Sequence, residues 1–137
     1  MKKILIISTL LAIISLSANA QKYMTKNGHI YFHSEAPLET IEAHNNQVNA
    51  ALDTKTGDFV FKVLMNSFIF EKALMQEHFN ENHVESEKFP NGTFKGKIVN
   101  ISEIDFSKPG TYSAIIKGDM TIHGVTKPVE EKGTFTV

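Results

Sequence analysis

The sequence predicts an all-β protein: an antiparallel sheet that curls onto itself as an elongated barrel, complete or open, or packs on another sheet, with one short helix at about residues 69–80. Three observations carry this. Several runs alternate apolar and polar residues with period two. Turn-forming clusters separate those runs at short intervals. One stretch alone repeats its apolar residues at helical spacing.

The first twenty residues stand apart. Lys2 and Lys3 precede the apolar run Ile4–Leu16, and Ala18-Asn19-Ala20 presents small residues at a cleavage site. This is the pattern of a secretory signal peptide cut after Ala20, which leaves residues 21–137 as one domain, periplasmic or secreted. The run falls short of the ~20 residues that span a bilayer, so no stable membrane insertion is expected after cleavage. No Cys follows the site to carry a lipid anchor.

Along the mature chain, Gly28–His33 reads as a strand, and Val48, Ala50 and Leu52 share a second strand's apolar face. Asp53–Asp58 is a loop. Phe59, Phe61, Val63 and Met65 then line one face, with Lys62 on the other. Phe70, Ala73, Leu74 and His78 recur at helical spacing among good helix formers. Pro90-Asn91-Gly92 returns the chain to a strand, in which Phe94, Gly96 and Ile98 oppose Lys95 and Lys97. After Ser107–Gly110 the alternation is cleaner, with Ile115 the one clear exception. Tyr112, Ala114, Ile116, Gly118, Met120 and Ile122 oppose Thr111, Ser113, Lys117, Asp119 and Thr121. His123-Gly124 turns the chain, and Val129, Gly133, Phe135 and Val137 form the last apolar face, broken by Glu131.

Strands this long suit an elongated, tilted barrel. Ala50, Gly96, Ala114, Gly118 and Gly133 put small residues on the inward face. Two readings of them stand side by side: glycines marking bulges and corners, or missing side chains leaving an unfilled apolar cavity. On the second reading Ala114→Phe or Gly118→Leu would fill ligand space.

Composition narrows the function. The 137 residues include 15 Asp and Glu, 14 Lys and Arg, six His and no Cys. A net charge of −1 lacks the basic footprint of a nucleic-acid binder. Without Cys there is no disulfide scaffold, thiolate metal site or cysteine nucleophile. His29 and His33 on one strand lie ~13 Å apart, too far to share a metal ion. His78 and His83 are spaced i, i+5 where a zinc-protease helix needs i, i+4. No nucleophile elbow and no convergent pair of carboxylates is present. The expectation is a binding protein without catalytic residues, metal or cofactor.

Two stretches resemble a known family. The run Phe70–Phe79, followed by Glu87-Lys88-Phe89-Pro90 and Thr93-Phe94, is similar to the helix-then-strand segment of the YceI-like family of exported bacterial proteins that bind polyisoprenoid-type lipids. Gly118–Val129, reading Gly-Asp-Met-Thr-Ile-His-Gly-Val-Thr-Lys-Pro-Val, is close to that family's second signature. Gly28, Ile30 and Phe32 match more weakly.

The resemblance implies a lipocalin-like antiparallel barrel of about eight strands with a short helical segment and a lipid-filled lumen. Phe59, Phe61, Val63, Met65, Ile116, Met120 and Phe135 would line that lumen, with Ala114 and Gly118 leaving room. Leu74, Met75 and Phe79 would lie near the ligand or cap the barrel. The implied partner is a long-chain lipid: a polyisoprenoid, an isoprenoid quinone or a fatty-acid-like molecule. Family members carry further strands after the Thr-Lys-Pro-Val strand, whereas this sequence ends at Val137. The expectation is therefore an open sheet or a piece of a longer chain. An open sheet supports a rival reading, an interaction protein that pairs through its β edge with a second chain, as in a homodimer. A weaker rival is a metal-dependent enzyme using His78 and His83.

Overall fold

The computed structural model describes residues 21–137. Residues 1–20, read from the sequence as a signal peptide, lie outside the described residues. Seven strands form one antiparallel sheet: β1 (Lys22–Glu35), β2 (Thr40–Asp53), β3 (Asp58–Leu64), β4 (Ile69–Phe70), β5 (Asn91–Ile98), β6 (Thr111–Ile122) and β7 (Val125–Thr136). Their spatial order is β1-β2-β3-β5-β6-β7, with the short β4 paired to β2 beyond the end of β3. The sheet curls into a half-barrel, with strands making up 59% of the structure. Among the described residues β1 and β7 do not pair with each other, so the sheet formed by residues 21–137 is open.

The helix is shorter and later than its spacing predicts. Ile69 and Phe70 pair as a strand with His44 and Ala43, α1 covers Ala73–His78, and a wider π-type turn follows over Phe79–His83. The cause is tertiary. Phe70 is buried beside Phe32 and Phe79, and its N–H donates to the Gln76 side-chain oxygen at 3.1 Å. Helix propensity, worth tenths of a kcal/mol per residue, does not compete with burial of a phenyl ring.

β2 is long because it pairs with β1 along one edge and serves two partners in turn along the other. Val48–Leu52 pairs with β3, and Ala43–His44 pairs with β4. Asn45 sits at the break, 0% exposed. Its side-chain amide donates to the Leu64 carbonyl at 2.8 Å, and its side-chain oxygen accepts the Gln47 N–H at 2.8 Å. One side chain thus satisfies two backbone groups that the ladder leaves over. Asn45→Leu should therefore lower stability by about 1–3 kcal/mol, by stranding those groups in an apolar setting. Urea denaturation is the check, and an unchanged midpoint would contradict the assignment. Asn100 plays a similar part beyond β5, accepting the Ile115 N–H at 2.8 Å and donating to the Ser113 carbonyl at 2.9 Å.

The concave face holds two buried clusters. One gathers Ala43, Val48, Val63, Met65, Phe68, Phe70 and Val84 under the helical segment. The other gathers Leu52, Ile98, Ile104 and Ala114, with Phe106, Tyr112 and Phe135 packed against it. Phe59, Phe61 and Phe94 stand between the two. Phe61 stacks on its cross-strand partner Phe94 at 5.5 Å, and Phe59 lies 6.0 Å from Phe94. The convex face is charged. Its pairs Lys97–Asp58 (3.6 Å) and Lys117–Glu130 (3.1 Å) lie in the open and contribute little.

Candidate functional site

A cavity of about 480 Å³ opens on the concave face between β1, β3, β6 and the helical segment. The strand-borne walls follow from alternation. Ile30 and Phe32 point inward from β1 between outward His29, Tyr31 and His33. Phe61 and Val63 do the same from β3, and Met120 and Ile122 from β6. Met65 and Phe68 come from the turn after β3, Phe79 and Val84 from the helical segment, and Gly92 from β5. Phe32 meets Phe68 edge-on at 5.4 Å and Phe79 at 6.0 Å, which fixes the aromatic wall. The lining is wholly apolar. It offers hydrocarbon, ring faces and thioether sulfur, with no acid, base or nucleophile.

Of the lining expected from sequence, Phe61, Val63, Met65, Phe79 and Met120 meet at this cavity. Met75 packs against the same cluster from α1. Phe59, Ile116, Phe135 and Ala114 belong instead to the second cluster, away from the cavity. Leu74 is 62% exposed and reaches neither, because α1 turns that face to solvent. Ile30, Phe32, Phe68, Val84, Gly92 and Ile122 join without having been expected in the lining. Ile30 and Phe32 were legible as an alternating face. Phe68 and Val84 lie in irregular backbone, where no period marks a residue.

Gly118 does not leave the space expected of it. It opposes Gly96, and a Cβ on Gly118 would lie 2.5 Å from both the Gly96 Cα and the Lys95 carbonyl oxygen and 2.9 Å from the Phe94 ring. The two glycines let β5 and β6 approach, and Phe94 covers them. Ala114, 2% exposed, is hemmed in by the second cluster. Of the two readings of the small residues, the close-packing one applies here. Gly118→Ala should cost about 1–3 kcal/mol by forcing the strands apart. Amide hydrogen exchange should show β5 and β6 opening faster, and unchanged protection would refute the packing account.

One rim of the cavity is built by the β6–β7 turn docking on the loop after the helical segment. His123 and Gly124 both have positive φ, 55° and 70°. A Cβ on Gly124 would lie 2.7 Å from the Phe89 ring, so glycine is required for the turn to seat. His123 meets Phe89 edge-on at 4.8 Å and Glu85 at 3.6 Å. The Lys88 ammonium, 2.7 Å away, and then His123 hold the Glu85 carboxyl below its ordinary value. That favourable interaction is present above the ordinary carboxylate range and is lost as acid protonates Glu85.

Other polar groups gather on the convex side of β1 and β2. His29 Nε2 and His44 Nδ1 are 2.9 Å apart. His33 meets Glu42 at 2.9 Å, and that contact, with Tyr31, lowers the Glu42 pKa. Among the described residues no three His, Asp or Glu side chains are grouped to hold a metal ion. His78 and His83 are both exposed.

The model of the YceI-like domain matches residues 22–137. The chain belongs to the YceI-like family. Among solved structures, this YceI-like chain is similar to a polyisoprenoid binding domain from Saccharophagus degradans implicated in plant cell wall breakdown. The TM-score is 0.65 at 9% identity, covering 83% of this chain and 66% of that one. It is also similar to a YceI protein of Campylobacter jejuni, with TM-score 0.45 and 13% identity over 85% of this chain and 55% of that one. The YceI-like chain thus spans 66% and 55% of these two structures. The first likeness shows that the curled antiparallel sheet of this chain is a fold shared with that solved domain. No curated protein matches the sequence significantly.

Proposed function

We propose that the chain binds a long apolar lipid, of prenyl or acyl type, in the concave cavity, and sequesters or carries it in the cell envelope after export. The observation that carries this is the wholly apolar lining of an open cavity of about 480 Å³. Ligand sites have this size and this apolar bias, and an apolar hollow open to water is unfavourable when empty. Family membership and the polyisoprenoid-binding neighbour support the same class of ligand. The role is binding without catalysis, because hydrocarbon walls supply nothing to move a proton or attack a bond. The location rests on the signal-peptide pattern of residues 1–20.

Solvent extraction of purified protein followed by mass spectrometry is the test. A stoichiometric prenyl or acyl species is the expected result. Its absence, together with failure of added lipids to displace a polarity-sensitive dye, would reject the reading. The rival, pairing through a β edge, draws on the outer edge of β1, unpaired among the described residues. Sedimentation velocity separates the two: concentration-dependent association without bound lipid favours the rival.

A further inference from the structure

We infer that the ligand carries an anionic head, held at Lys127 on the β6–β7 hairpin. This rests on the lipid-binding reading and adds the chemical class of the ligand. The apolar cavity does not end at Met120 and Ile122. The same two side chains also line a second hollow with His123, Val125, Lys127 and Val129. A tail among the phenyl rings therefore leads over Met120 directly onto β7.

The register decides which charges that path meets. Residues directly opposite each other in an antiparallel pair share a face. Met120 opposes Lys127, Gly118 opposes Val129, and Ile116 opposes Glu131. On the concave side of β6 and β7 the charged residues are thus Lys127 and Glu131. Four residues of strand separate them, ~13 Å, too far for an ion pair. Lys127 stands beside the cavity mouth, and Glu131 stands beside Ile116 in the other cluster. Lys127 has no ion-pair partner among the described residues, whereas Lys117 on the convex face has Glu130. Glu85, the acid that meets the same hairpin at His123, is already engaged by Lys88. An amphiphile lying along this path with its tail in the cavity brings its head to an unpaired ammonium. An anionic head gains there, and a neutral or cationic one does not. Carboxylate and phosphate heads share this chemistry.

The test compares hexadecanol, hexadecanoic acid and hexadecyl phosphate as competitors of a neutral polarity-sensitive dye, at a pH where the acid is ionised. At least one anionic competitor should displace the dye at about fivefold lower concentration than the alcohol, the factor expected of one exposed charge pair. Preference for the phosphate assigns a phosphoryl head, and preference for the acid assigns a carboxylate. Lys127→Gln should bring the ratio to about one, and Lys127→Glu should invert it. Lys117→Gln, on the convex face, should leave the ratio as it was. Circular dichroism and melting of each variant establish that it is folded. Equal displacement by all three competitors, or an anion preference that survives Lys127→Gln, overturns the inference while leaving lipid binding intact. No displacement by any of them overturns the lipid-binding reading itself.

Discussion

Phe94→Ala should destabilise the protein by about 3–5 kcal/mol, the range for emptying a buried phenylalanine site. Phe94 is 3% exposed at the centre of the sheet. Its ring does three things at once. It stacks on Phe61, closing the inner end of the aromatic row. It stands between the two buried clusters. It also covers Gly96 and Gly118, where the strands come too close for any side chain. Removal leaves two glycines facing a void that neither cluster is placed to fill. The loss should appear as a lower urea midpoint at unchanged slope, with β5 and β6 losing exchange protection before β1 and β2. A loss below about 1 kcal/mol would mean that the sheet relaxes into the space and that Phe94 is not the joint between the clusters.

The same residues show what the sequence could and could not reveal. β3, β5 and β6 were legible because each turns one face to the core, and period two is the direct record of that; β7 was legible from its alternation alone, since only Val129 and Phe135 of its inward face are half-buried. The YceI-like signatures at Phe70–Phe94 and Gly118–Val129 pointed to the fold that the structure adopts. The first half of β2 was hidden because its inward residue at the ladder break is Asn45. A polar residue there reads as exposed until its two backbone partners are known. β4 was hidden because two residues carry no period, and helix-forming neighbours claimed them. The cavity was half legible. Sequence alternation gave the inward set but not its division into two clusters, which depends on where Phe59, Phe61 and Phe94 meet. Gly118 was misplaced for a related reason. A small residue marks either free volume or close approach, and only the position of Phe94 distinguishes them.

Affinity for unbranched alcohols should rise about fourfold with each added methylene, because burial of a CH₂ is worth about 0.8 kcal/mol. Four methylenes should then give roughly two-hundredfold. The rise should stop once the tail reaches the Phe61–Phe94 stack, since the second cluster beyond it is already filled by the protein's own side chains. A plateau at a definite length is thus part of the expectation. Ile122→Trp should reduce affinity about tenfold or more for every competitor, about 1.4 kcal/mol. Ile122 lies at the mouth and is 41% exposed, so an indole has room on the solvent side and still obstructs the opening. For the same reason its effect on melting should be small. Dye displacement across the alcohol series, on wild type and variant, reads both effects. Affinity independent of chain length, or undiminished in a folded Ile122→Trp protein, would show that the hollow between Phe32, Phe61 and Met120 closes as packed core in solution.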